Sequence, residues 1–201
     1  MSQAEFVPIR AAPTTVGLLQ PARDSNARAH IDIDIVPPRS LQFEEIAAQE
    51  QRCLFPHFTA DTAWELGTRL RARLQRASAK PAVVNITLAA HSQLLFHCAT
   101  GRGTTADNDT WVARKRASVL RWHASTLCLH TMFGGSEDRF RDMFMLGERA
   151  GEYAIHGGGF PVKVKDVEGV VGVIVVSGLT MQEDHEVIVE VIEEYLASLK
   201  N

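Results

Sequence analysis

The C-terminal third of the chain carries the sharpest alternation of apolar and polar positions. Phe160, Val162 and Val164 alternate with Lys163 and Lys165, residues 166–169 read as a turn, and 170–176 form a β-branched run bounded by Gly169 and Gly178. Successive strand residues point to opposite faces, so this pattern predicts a β-hairpin. Thr180 and Glu183 then have the spacing of a capping box. Ile188, Val191, Ile192, Tyr195 and Leu199 recur at helical spacing behind them, predicting a helix that runs to the end of the sequence. An earlier hairpin is predicted by Val83, Val84, Ile86 and Leu88, followed by Leu94, Leu95, Phe96 and Cys98 around a turn at 90–93. Ser40 offers a cap for a helix to about Cys53, and Thr59 with Asp61 opens another whose Ala63, Leu66, Gly67, Leu70, Leu74 and Ala77 share one face. Asp107, Asn108 and Asp109 supply N-cap candidates and first-turn charge for a helix through His123. Ser125 caps a continuation to about Phe133, and Ser136 starts a short helix to Leu146.

Two hairpins separated by helices predict an α+β fold, with a mainly antiparallel sheet flanked by helices, over the alternating rhythm of a parallel sheet. Residues 1–40 hold five of the chain's eight prolines, which leaves few segments free for regular structure. They read as an arm preceding one domain over 41–201. Within the arm Ile31, Ile33 and Ile35 alternate with Asp32 and Asp34, a pattern suited to a short added edge strand.

Composition narrows the class. With 45% hydrophobic and 22% charged residues over 201 positions, the chain can bury one substantial core. A net charge of −3 gives no general footprint for nucleic acid, and none is expected as a partner. The longest stretch without Asp, Glu, Lys or Arg, 81–101, contains Asn85, Thr87, His91, Ser92, Gln93 and His97 and reads as a buried hairpin, not a membrane span. No charged start followed by an apolar run marks a secretory signal, so cytoplasm is the expected location. Cys53, Cys98 and Cys128 have neither CxxC nor zinc-ligand spacing and read as reduced thiols, with no metal site.

Four segments carry candidate chemistry. In His156-Gly157-Gly158-Gly159-Phe160-Pro161, followed by Lys163, glycines let a ligand approach backbone N–H groups, and an imidazole at the entry can ligate a metal or move a proton. A turn from helix to strand explains the same residues. Thr105, Asp107, Asn108, Asp109 and Trp111 bring hydroxyl, carboxylate and amide groups to a helix start, where they bind a polar ligand or simply cap. Arg114, Lys115, Arg116 and Arg121 lie in a stretch without acidic residues. Arg114 can pair a ligand carboxylate beside Trp111, although a solvated helix face accounts for the run, whose three consecutive cations fan around the helix. Asp184 and His185 occupy the first turn of the last helix, where the dipole favours Asp and disfavours a charged imidazole. His185 is therefore expected to be neutral and available as a base or ligand. Ser177 lacks the Gly-x-Ser-x-Gly elbow of serine hydrolases.

Taken together, His57-Phe58-Thr59 with 63–67, residues 103–109 with Trp111 and 114–116, His156-Gly157-Gly158 with 160–164, and Val176-Ser177-Gly178-Leu179 with Asp184-His185 resemble the haem-degrading-domain family, also called GlcG/HbpS-like, over about 41–199. Ala106 stands where that family usually has Pro. The resemblance implies a profilin-like or PAS-like layout, and dimers that join in larger rings. It also implies haem or another tetrapyrrole as a possible cofactor. The expectation that follows is an oligomeric small-molecule binder, with His156 as axial ligand or hydrogen-bond partner and Gly157, Gly158 and Gly159 closing over the ligand. An enzyme of small-molecule metabolism using His156 and His185 as acid and base, and an adaptor acting through its oligomer, are the alternatives.

Overall fold

The computed structural model describes residues 41–78 and 80–200. The arm at 1–40, with its isoleucine alternation, lies outside the described residues. Helix α1 (Leu41–Arg52), strand β1 (Leu54–Phe55), helix α2 (Ala60–Ala77) and strands β2 (Val83–Leu88) and β3 (Leu94–Ala99) come first. Helices α3 (Ala106–Trp122), α4 (Thr126–Met132) and α5 (Glu137–Met143), strands β4 (Gly159–Val164) and β5 (Gly172–Ser177), and helix α6 (Met181–Ser198) complete the order.

The strands form one five-stranded sheet in the order β1-β4-β5-β2-β3, antiparallel except for the short β1–β4 pair. Both expected hairpins are present, and the pairing of β2 with β5, from Val83 opposite Ser177 to Leu88 opposite Gly172, joins them. The period-2 pattern explains how the faces divide. Val84, Ile86, Phe160, Ile174 and Val176 turn to one side, against Leu66, Leu70 and Leu74 of α2 and Ile188, Val191 and Ile192 of α6. Val83, Val173 and Val175 turn to the other side, against Val112 and Val119 of α3. Because β5 is buried on both faces, its apolar run is continuous instead of alternating.

Helix starts follow local capping chemistry. Thr59, Ser125, Ser136 and Thr180 each accept a hydrogen bond from a backbone N–H three residues on, and Glu183 returns the bond to Thr180. The start of α3 departs from expectation. Its N-cap is Thr105, and Asp107, Asn108 and Asp109 fall in the first turn, with Asn108 Oδ1 accepting from the Thr105 N–H at 2.8 Å. His123 ends α3 in a left-handed conformation, so Ser125 caps a separate helix and not a continuation. Helix α5 stops at Met143, short of Leu146, because Met145 and Gly147 adopt positive φ and turn the chain. Strand β1 has no signal in the sequence, since two residues are too few to show a period. Among the described residues no helix is long and apolar enough to cross a membrane, and 81–101 is the β2–β3 hairpin.

Gly67 fixes how closely α2 approaches β3. A Cβ placed there lies 2.5 Å from Cδ1 of Phe96, whose ring also meets Trp64 edge-on at 5.8 Å. Alanine at this helical position gains roughly 1 kcal/mol in propensity, but overpacking a fitted contact costs about 1–3 kcal/mol. With the ring itself in the way, the clash wins. Gly67→Ala is expected to lower unfolding free energy by about 1–2 kcal/mol in urea titrations; an unchanged or raised midpoint contradicts this packing.

Candidate functional site

One face of α3 carries Asn108, Trp111 and Lys115 to the end of β5, where the chain turns into α6. A cleft of about 290 Å³ opens there, with the buried Lys115 and Asp184 in its floor and Ser177, Gly178, Leu179, His156 and Gly157 among the residues that line it. Lys115 is 3% exposed and Asp184 2%. Nζ of Lys115 lies 2.9 Å from Oδ2 of Asp184 and donates to the Val176 carbonyl at 3.0 Å. Asp184 also accepts from the backbone N–H groups of Leu179, at 3.1 Å to Oδ1, and Gly178, at 3.4 Å to Oδ2. Burial pushes the lysine below its ordinary pKa and the aspartate above its own, and each partner's charge opposes that shift.

The glycine run is fitted to this pair. Gly158 has φ +107°, and a Cβ on it would stand 2.7 Å from both Lys115 Nζ and Asp184 Cβ. The Gly159 N–H donates to Thr126 Oγ1 at 2.9 Å, and Phe160 is wholly within the core. Gly157 lines the cleft; Gly158 and Gly159 do not.

His156 stands at the rim, its side chain 38% exposed. Its ring meets Trp111 edge-on at 5.0 Å, and Nδ1 approaches Glu137 Oε1 at 3.3 Å without hydrogen-bond alignment. Trp111 is held in turn by a hydrogen bond from Nε1 to Asp107 at 3.2 Å and by the Arg114 guanidinium, 4.6 Å over its ring. Arg114 also donates to the Tyr153 carbonyl at 3.1 Å. The Asn108 amide donates to the Ser177 carbonyl at 3.4 Å, closing α3 onto β5.

Other expected site residues lie elsewhere. Thr105 caps α3, Asp109 faces His97 of β3 at 3.5 Å, and Lys163 reaches Glu50 of α1 at 3.3 Å. His185 follows Asp184 but points the other way around α6. Its Nε2 lies 3.1 Å from Gln49 Oε1, its ring packs on Phe160 at 5.6 Å, and it does not line the cleft. It is 1% exposed, and burial pushes its pKa down to about 4, so it is neutral as expected. The structure does not bring it together with His156 in the cleft.

The reading of the basic run as a solvated face fails at Lys115. Val112, Lys115 and Val119 occupy i, i+3 and i+7, the buried side of α3, and that spacing is the signal that could have found it.

The chain matches the family model described as haem degrading protein HbpS-like over residues 58–193. It belongs to this family. A UPF0303 protein of Streptomyces avermitilis is 41% identical over 152 residues, which is 76% of this chain and 89% of the relative. Among solved structures, Ybr137w is similar with a TM-score of 0.73 and 27% identity, covering 81% of this chain and 92% of that one. A PduOC complex with haem has a TM-score of 0.53 at 16% identity, covering 68% and 93%, and shares the fold.

The neutral, buried His185 makes stability depend on pH. Its folded pKa lies below the unfolded value near 6.5, so the unfolded chain binds the extra proton between about pH 6.5 and 4. Stability from this group is full above that window and is lost as pH falls through it. Unfolding free energy is expected to drop by about 2 kcal/mol from pH 7.5 to 5 through this residue alone. His185→Gln should flatten the pH dependence by that amount; parallel pH profiles for the two proteins would refute it.

Proposed function

We propose that this chain binds haem or a related tetrapyrrole at the open rim of the cleft, engaged there by His156; the macrocycle is larger than the 290 Å³ interior above the Lys115–Asp184 pair and is not enclosed by it. The observation that carries this reading is the setting of His156. Its imidazole lines an open cleft, is fixed by Trp111 against one edge, and has a carboxylate behind Nδ1. Metal-ligating histidines commonly donate their other ring N–H to a carboxylate, which orients the ring and raises its basicity; Glu137 Oε1 stands 3.3 Å from Nδ1, within reach of that role although no aligned hydrogen bond is formed. Among the described residues no three His, Cys, Asp or Glu groups gather as a cage for a free metal ion, so an iron already held by a macrocycle suits a single histidine. Trp111, Leu179 and Met181 offer apolar contact around the polar floor. The HbpS-like family name and the haem complex of PduOC support the same ligand class.

In this reading His156 would hold the iron, Glu137 would take up the Nδ1 proton bond that orients the ring, and the Trp111–Arg114 stack keeps the rim in place. Haem, when bound, would supply an iron centre whose reactivity is tuned by the residues around it. Haemin added to the purified protein is expected to give a shifted Soret band that saturates at micromolar concentration. His156→Ala should weaken binding at least tenfold, and Glu137→Gln by about tenfold, as expected for an orienting partner. Unshifted spectra at micromolar protein, or equal affinity in the His156 variant, would overturn the assignment.

A further inference from the structure

The haem reading uses the rim of the cleft and leaves its floor without a role. Lys115 is a primary amine on that floor, with one carboxylate 2.9 Å away, and its side chain is 4% exposed. Two of its contacts are defined, to Asp184 and to the Val176 carbonyl, and both hold the amine at the end of β5. On the side of Gly158 no side chain covers Nζ, because a Cβ there would stand only 2.7 Å from it. The glycine thus keeps the backbone tight against a nucleophilic nitrogen.

We propose that Lys115 is an imine-forming residue that captures a small, neutral hydroxy-aldehyde or hydroxy-ketone in this cleft, with Asp184 as its proton partner. The ligand class follows from the lining. The lysine charge is already balanced by Asp184, so the floor has no net positive charge to select an acid. Asp107, Asn108 and Ser177 offer polar groups suited to hydroxyls, and about 290 Å³ takes a molecule of a few carbons. The inference does not rest on haem binding and requires only that the cleft admit a small molecule.

The step balances within the pair. A proton moves from the Lys115 ammonium to the Asp184 carboxylate across 2.9 Å, leaving a neutral amine and a carboxylic acid. Burial favours this exchange by lowering the lysine pKa and raising that of the aspartate. The amine lone pair forms a bond to the carbonyl carbon as Asp184 gives its proton to the carbonyl oxygen, and Asp184 then takes one proton from nitrogen, giving a neutral carbinolamine. Nitrogen next expels the hydroxyl, which departs as water with the Asp184 proton. The products are a protonated imine on Lys115, the Asp184 carboxylate and one water, so charge and atoms match the starting ion pair and carbonyl compound.

The test is reductive trapping of the full-length, haem-free protein with dihydroxyacetone and cyanoborohydride, read by peptide mass spectrometry. The expected result is an adduct on Lys115 formed at least tenfold faster than on the exposed Lys165 and Lys200. Asp184→Asn should slow that adduct at least tenfold while the other lysines label at the same rate. Labelling of Lys115 no faster than of the surface lysines would overturn the proposal, and the wild-type measurement stands even if the variant fails to fold. Faster trapping of pyruvate than of dihydroxyacetone at Lys115 would overturn the neutral ligand class. A protein that traps dihydroxyacetone but leaves haemin unshifted refutes the haem reading alone, and the reverse outcome refutes this one alone.

Discussion

A buried lysine beside a buried aspartate is the constraint around which the site-bearing end of this fold is arranged. Moving either ion out of water costs several kcal/mol, and the cost is offset only where geometry and further hydrogen bonds satisfy both groups. Here Lys115 comes from α3 and Asp184 from α6, 69 residues apart in sequence. The carbonyl of Val176 and the N–H groups of Gly178 and Leu179 complete their partners. Strand β5 must therefore end where it does, α6 must start within a few residues of it, and the backbone at Gly158 must come close enough to exclude a side chain.

The same arrangement explains why a cleft exists there at all. Along β2 and β5 the sheet is covered on both faces by apolar contacts with α2, α3 and α6. At the end of β5 the ion pair and its backbone partners take the place of apolar packing, and the polar walls of Asn108 and Ser177 follow. His156 and Trp111 close one side and are held by contacts to Glu137, Asp107 and Arg114. The result is a polar floor beneath an aromatic rim, two surfaces with different chemistry in one opening.

Much of the architecture was legible in the sequence because the signals were local. Alternating Phe160, Val162 and Val164, the run through Val176, and the Thr180–Glu183 box each describe their own element within a few residues, and the structure follows them. Three of the four segments behind the family resemblance also converge on the cleft or its supports, while residues 57–67 pack α2 against β3 instead. The failures were of a different kind. Thr105 caps α3 in place of the Asp107–Asp109 candidates because it forms a capping box with Asn108, which starts the helix earlier and leaves the acidic residues in its first turn. The charge run Arg114, Lys115 and Arg116 suggests a solvated face, but the spacing of Lys115 from Val112 and Val119 puts it on the buried one. Its partner is fixed only by the tertiary fold, and no local pattern reports that. His185 is expected to be neutral from the helix dipole, whereas burial is what lowers its pKa. Its direction toward Gln49, away from His156, depends on where α1 docks, which short-range patterns do not encode.

The account stands on the claim that Lys115 and Asp184 act as one buried unit. A double-mutant cycle with Lys115→Met and Asp184→Leu, read by urea unfolding, measures that directly. Each single change leaves an uncompensated buried charge and is predicted to cost about 3–5 kcal/mol, while the double variant costs well under the sum, with a coupling of at least about 2 kcal/mol. Additive losses, or single variants within about 1 kcal/mol of the native protein, would show that the pair does not organise this end of the fold.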